Sequence, residues 1–228
     1  MKKYGSQTPT KSVILDYKKT LGSEAVELYK KTGRTPYPWQ EKMVNDLFAV
    51  NEEELWTHSK FGYAIPRRNG KTEVVYMAEL WGLFHGMSIL HTAHRISTSH
   101  SSFEKMKKYL EDMGLEDKEH FASIKAKGQE RLELLEYGGV IQFRTRTSTG
   151  GLGEGFDMLV IDEAQDSPRT GGGKVEGYAL GLCTCQARLD WCLYPTKEGE
   201  CPQLLGRCCF LSGRRGHTPC FCRGVETY

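Results

Sequence analysis

An α/β fold, with a mainly parallel sheet flanked by helices, is predicted for this chain by three observations. Apolar runs of strand length alternate with stretches of helical periodicity between Phe61 and Ile161. The run Met158-Leu-Val-Ile161 is continuously apolar, as in a strand buried on both faces. The two segments best suited to chemistry, 65–72 and 161–163, fall at strand ends, where such sheets bind ligands.

The elements follow in order. Residues 12–31 carry apolar side chains at helical spacing, interrupted by Gly22 and stopped at Gly33. Pro38 suits the first turn of a helix whose Trp39, Met43, Leu47 and Val50 would line one face. Phe61–Ile65 reads as a short buried strand, and helical periodicity runs from Lys71 to about Phe84. Ser88–Ala93 is a second strand, and 96–113 a helix ended by Gly114. Residues 130–146 read as a hairpin with a Gly-Gly turn, and Asp157–Asp162 as a strand. No internal repeat is visible.

Composition bounds the function. The 228 residues can bury one good core with room for a small second unit. Hydrophobic content of 39% and charged content of 26% are those of a soluble globular protein. No apolar run approaches the roughly 20 residues needed to span a bilayer. The basic start, MKKYGSQTPT, is followed by no apolar segment, so no signal peptide is read and a cytoplasmic location is expected. A net charge of +2 does not point to nucleic acid.

The segment Ile65-Pro-Arg-Arg-Asn-Gly-Lys-Thr72 ends like a phosphate-binding loop, although Ile65 stands where the usual pattern has its first glycine. The chemistry still fits. A helix start attracts phosphate through unpaired N–H groups, and Asn69 and Gly70 lead the backbone into it. Lys71 can reach the β- and γ-phosphates, and Thr72 offers a hydroxyl to magnesium. The bland reading is a surface Gly-Lys-Thr at a helix start. Asp162 and Glu163 close an apolar strand, where Asp162 can hold magnesium and Glu163 can act on the attacking water. Their bland reading is an acidic helix N-terminus. Together, in this order, the two segments compose one magnesium–nucleotide site, and the fold is read as a P-loop NTPase binding ATP and Mg.

Weaker candidates remain structural. Arg144 and Arg146 alternate along a strand, where solvent is the expected partner. His91, His94 and His100 lack metal-site spacing, and His91 is expected to be a satisfied or partly buried strand residue. The glycines of 150–155 suit a tight connection, and 103–113 reads as an amphipathic helix with a solvated basic face.

Several segments in order carry a family resemblance. These are the loop without its first glycine, the arginines inside it, ILHTAHRISTSHSSFEKM, and TSTGGLGEGFDMLVIDEAQD. They resemble the ATPase domain of the large terminase subunit of tailed phages over about residues 35–166. The resemblance implies ATP hydrolysis driving viral DNA translocation. It also implies double-stranded DNA, a portal protein and a small terminase subunit as partners, oligomerisation only on the portal, and a phage-infected or prophage-carrying host. It implies that Arg68 or Arg67, with Arg68 favoured, supports the γ-phosphate. PYPWQEKM is similar to that family's adenine-contacting segment, which would give Gln40 a place on the base and Tyr37 or Trp39 a place near its face. Core packing explains Trp39 equally well.

The resemblance stops at Asp166, and the composition changes there. All eight cysteines lie from Cys183 to Cys222, and all seven methionines at or before Met158. Residues 1–166 hold 16 Lys and 7 Arg, whereas 167–228 hold 2 Lys and 6 Arg. The chain is therefore divided into an N-terminal part of an ATPase domain, 1–166, and an irregular, cysteine-rich tail, 167–228. In this fold class a further helix and strands should follow the Asp-Glu strand; residues 208–213 are one strand candidate, with Ser212. Three readings of the tail stay open: a shifted reading frame, a zinc module, and a disulfide framework. The first leaves the motor truncated, without room for the family's nuclease domain and with its turnover in question. Two alternatives to the motor also stay open. One is a helicase-like ATPase, and the other an inactive remnant or nucleic-acid-binding protein with a zinc-binding tail.

Overall fold

The computed structural model describes residues 5–66, 68–126, 129–145 and 155–163, together with the backbone of 178–186. In chain order the elements are β1 (Lys19–Thr20), α1 (Gly22–Lys30), α2 (Pro38–Leu47), β2 (Ala49–Val50), β3 (Lys60–Ile65), α3 (Lys71–Phe84) and β4 (Ser88–Ala93). They continue with α4 (Ile96–Asp112), β5 (Phe121–Ile124), β6 (Gln129–Leu134), β7 (Val140–Thr145), β8 (Phe156–Ile161) and β9 (Tyr178–Gln186). One seven-stranded sheet has the order β3-β9-β8-β4-β7-β6-β5. The strands from β3 to β7 in that order are parallel, and β6 and β5 continue the sheet antiparallel. The carboxyl ends of β3, β8 and β4 therefore open onto one edge, the place where an α/β sheet builds its sites.

Side-chain alternation sorts the sheet into two faces. Ile89, Met158 and Val160 join the large core with α3 and α4, whereas Leu90 and Leu159, of the opposite parity, form a small separate cluster that Phe156, at the start of β8, also joins. The helix α3 is buried along almost its whole length, from Val74 to Leu83, so its sequence lacks a polar stripe. Burying each such Leu, Val or Met contributes on the order of 1.5–3 kcal/mol. The helix α4 is amphipathic and buries Phe103, Met106, Tyr109 and Leu110. No helix among the described residues is long and apolar enough to cross a membrane.

Most element boundaries agree with the sequence reading, and three differences have physical causes. Helix is confined to Gly22–Lys30 within the expected 12–31 span, because Lys19–Thr20 pairs instead with Ala49–Val50. Gly22 is an entry point rather than an interruption. A Cβ on it would lie 2.5 Å from the Asn45 Cα, so only glycine lets α1 approach α2 this closely. Thr20 reinforces the junction, its hydroxyl donating to the Asn45 carbonyl at 2.6 Å and accepting from the Gly22 N–H at 3.0 Å. Val50 accordingly leaves the helical face assigned to it and lies in β2.

The third difference is in the tail. Residues 178–186, read as irregular, form β9 between β3 and β8. Its nine residues, YALGLCTCQ, interleave glycine and cysteine and lack the unbroken aliphatic run that marks β8. The alternative strand candidate at 208–213, Ser212 included, lies outside the described residues, as does the compositional seam at Ser167.

The Gly-Gly turn of the β6–β7 hairpin yields a discriminating prediction. A Cβ at Gly139 would lie 2.0 Å from the Leu83 carbonyl oxygen, whereas Gly138 has open space and a φ of +70°. Gly138→Ala should cost about 1 kcal/mol through backbone strain alone. Gly139→Ala should cost more, about 2–3 kcal/mol, because it pushes the hairpin off α3. Urea unfolding of the two variants checks the order.

Candidate functional site

The site begins at the end of β3. After Ile65 and Pro66 the chain turns through Arg68 and Gly70, with φ of +63° and +76° respectively, and enters α3 at Lys71. Asn69 braces the turn by donating its side-chain amide to the Pro66 carbonyl at 3.1 Å. Arg68 is exposed at the loop surface. Arg67 lies outside the described residues.

The acidic partner arrives from β8. Thr92 on β4 fixes that strand's end: its hydroxyl donates to the Val160 carbonyl, and its own carbonyl accepts from the Asp162 N–H, both at 2.9 Å. Asp162 is thereby held 4% exposed at the carboxyl edge. Its Oδ1 accepts from the Glu163 N–H at 3.0 Å and from the Lys71 ammonium at 3.3 Å. The Lys71 and Asp162 side chains are 12% and 5% exposed, so this ion pair has limited solvent screening. Glu163 follows with φ +53° and is partly exposed, turned out of the strand line by a sparsely populated backbone conformation. Two groups 91 residues apart are thus in contact, as the two sequence motifs require if they serve one site.

Thr72 occupies the first turn of α3 beside Lys71. A carboxylate and a hydroxyl oxygen are hard donors of the kind magnesium takes, alongside phosphate oxygens and water, so Asp162 and Thr72 fit that ion chemically. Among the described residues no group of three or more His, Cys, Asp or Glu is arranged as a metal site.

Gln40 stands behind the loop. It is 2% exposed, its Oε1 accepts from the Tyr37 N–H at 2.7 Å, and its Nε2 donates to the Gly70 carbonyl at 2.8 Å. Tyr37 is 49% exposed, and Trp39 packs against the large core. Of the histidines, His91 is fully buried with Nδ1 2.5 Å from the Glu79 carboxylate, in line with its expected role as a satisfied strand residue. Burial raises the Glu79 pKa, against the opposing pull of His91. His100 pairs with Glu130 at 3.0 Å, and His94 is exposed. Arg144 hydrogen-bonds Gln142, while Arg146 and most of the 150–155 loop lie outside the described residues.

Sequence reading missed Tyr63, Thr92 and Glu73. Tyr63 on β3 donates its hydroxyl to the Lys71 carbonyl at 2.6 Å. Glu73, in the first turn of α3, receives Tyr29 at 2.5 Å, Tyr109 at 2.6 Å and Lys105 at 2.6 Å, tying α1 and α4 to the loop's helix. Arg34 lies 4.2 Å from the centre of the Tyr109 ring and pairs with Asp112 at 2.8 Å. No local motif marks such long-range bonds. The only sequence signal for Glu73 was an acid in the first turn of a helix, which the dipole favours anyway.

Comparison with solved structures identifies the fold. The large terminase of bacteriophage HK97 matches with a TM-score of 0.55 at 14% identity, over 73% of this chain and 38% of that one. The ATPase domain of the large terminase of Thermus phage P74-26 matches at 0.52 and 16% identity, over 85% of this chain and 76% of that one. A point variant of that domain matches at 0.51 and 15% identity, over 73% and 71%. The chain has the α/β fold of phage large-terminase ATPase domains, and it spans 38% of the length of the HK97 protein. No protein-family model matches the sequence, and no curated protein matches it.

The Glu73 junction predicts a pH dependence. Burial opposes ionisation of Glu73, but hydrogen bonds from Lys105, Tyr109 and Tyr29 outweigh it and lower its pKa. A lowered carboxylate pKa contributes stability above the unfolded-state pKa, and that contribution is lost as pH falls through the folded one. Glu73→Gln should therefore destabilise the protein at pH 7 by about 1–2 kcal/mol, with the deficit shrinking under acid. Urea unfolding across an acid series checks this; a deficit independent of pH contradicts it.

Proposed function

We propose that this chain is the ATP-hydrolysing domain of a phage-type DNA-packaging motor, a large-terminase ATPase. The observation that carries the reading is the Lys71–Asp162 contact at 3.3 Å, which joins the β3–α3 loop to the end of β8. The terminase-like fold supports the same reading. Double-stranded DNA is the proposed translocation substrate, with a portal protein and a small terminase subunit as partners. The proposed setting is the cytoplasm of the bacterial host.

The chemistry assigned to each residue follows from its position. Gly70, Lys71 and Thr72 open α3, where amides without intrahelical acceptors and the helix dipole attract the phosphate chain. Asn69 holds the turn that presents them. Lys71 then exchanges its carboxylate partner for phosphate oxygens. Thr72 and Asp162 would hold magnesium, which when bound neutralises phosphate charge as it builds in the transition state. Releasing Asp162 from Lys71 as the phosphate arrives couples the two binding events. Glu163 accepts a proton from, or orients, the water that attacks the γ-phosphate. Arg68, or its neighbour Arg67, supports the equatorial γ-phosphate oxygens with a guanidinium fork. Gln40 contributes to the nucleotide site from behind Gly70.

Turnover measurements test this. The protein should hydrolyse ATP in a magnesium-dependent manner, in the presence or absence of double-stranded DNA. Lys71→Ala should lower kcat/KM at least about 100-fold, and Glu163→Gln should lower kcat by a similar factor while retaining nucleotide binding. Absence of turnover in soluble wild-type protein, with or without DNA, would sink the motor assignment.

A further inference from the structure

Two hydrogen bonds hold consecutive carbonyls at the loop–helix junction. Gln40 Nε2 donates to the Gly70 carbonyl at 2.8 Å, and Tyr63 Oη donates to the Lys71 carbonyl at 2.6 Å. A peptide unit is planar, and in its trans form the C=O and the following N–H point in opposite directions. Holding the Gly70 carbonyl therefore sets the direction of the Lys71 N–H. Holding the Lys71 carbonyl does the same for the Thr72 N–H. These are the first two amides of α3, among the four that a helix leaves without an intrahelical acceptor.

The donors come from rigid surroundings. Tyr63 lies within β3, which pairs along its full length with β9. Gln40 lies in the first turn of α2, buried, with its other end tied to the Tyr37 N–H at 2.7 Å. Gly70 leaves room for the Gln40 amide, since a Cβ there would sit 2.8 Å from Gln40 Nε2. The amides are thus aimed before any ligand arrives, so binding need not order them.

We propose that Tyr63 and Gln40 are positioning residues that aim the Lys71 and Thr72 amides at the phosphate chain, and that Gln40 acts on phosphate through Gly70 rather than on the base. The proposal rests on the nucleotide site proposed above and adds a substrate rule. Because the device acts on backbone amides, its loss weakens any polyphosphate equally, with or without a base attached.

The test is calorimetric titration of the folded chain with ATP and with inorganic tripolyphosphate, both with magnesium, alongside steady-state ATP turnover. Tyr63→Phe, which removes one oxygen, should weaken both ligands by the same factor, about five-fold, the size of one hydrogen bond. It should raise KM for ATP by that factor and leave kcat within about two-fold, a split that general loosening of the fold would not give. Gln40→Ala should likewise weaken both ligands equally; loss of ATP with tripolyphosphate unchanged would overturn its assignment in favour of base reading. Should Gln40→Ala fail to fold, Tyr63→Phe decides alone. If Lys71→Ala abolishes binding while Tyr63→Phe binds tripolyphosphate like wild type, the positioning proposal fails and the nucleotide site stands. If wild type binds neither ligand, both fail.

Discussion

The Lys71–Asp162 ion pair is the constraint on which the functional architecture depends. A lysine at 12% exposure and an aspartate at 5% exposure hold each other at 3.3 Å across the sheet edge. Removing one member of such a pair leaves the other charge poorly solvated, which costs about 3–5 kcal/mol. The contact therefore holds both side chains in place at the sheet edge.

The parallel sheet makes that contact possible. The strands β3, β8 and β4 run the same way, so their carboxyl ends deliver Lys71, Asp162 and Thr92 to one edge. Thr92 locks β4 to β8 at the position where Asp162 must stop. On the other side of the loop, Glu73 gathers Tyr29, Tyr109 and Lys105 around the first turn of α3. The charge of Glu73 is compensated within that cluster, so α3 is anchored at its first turn where the loop ends. The β3–α3 loop and the first turn of α3 are thus clamped from the strand, from α2 and from α4.

Much of this was legible in the sequence, for identifiable reasons. The helix α3 and the strand β4 carried both pattern and punctuation: a Gly-Lys start, an apolar stretch interrupted only by Glu79 and Gly82, then a glycine before the next strand. The strand β8 announced itself by four successive apolar residues ending in two acids. The loop and the acid pair were legible because their chemistry is local. By contrast, β5 is only four residues long, and β9 lies where cysteine and glycine replace aliphatics. Gly22 was misread because a glycine that breaks a helix and one that lets two helices touch look alike in sequence. Tyr63, Thr92 and Glu73 were invisible because each acts on a partner at least eight residues away, through contacts that only the fold supplies.

The most direct measurement is a double-mutant cycle between positions 71 and 162 in the absence of nucleotide. Lys71→Met, Asp162→Asn and the double variant are each unfolded in urea and compared with wild type. A contact in a weakly hydrated site predicts a coupling energy of at least about 1 kcal/mol, so that the double variant loses less stability than the two single losses added together. Additive losses within about 0.3 kcal/mol would mean that loop and acid do not meet, and the single-site account would be wrong.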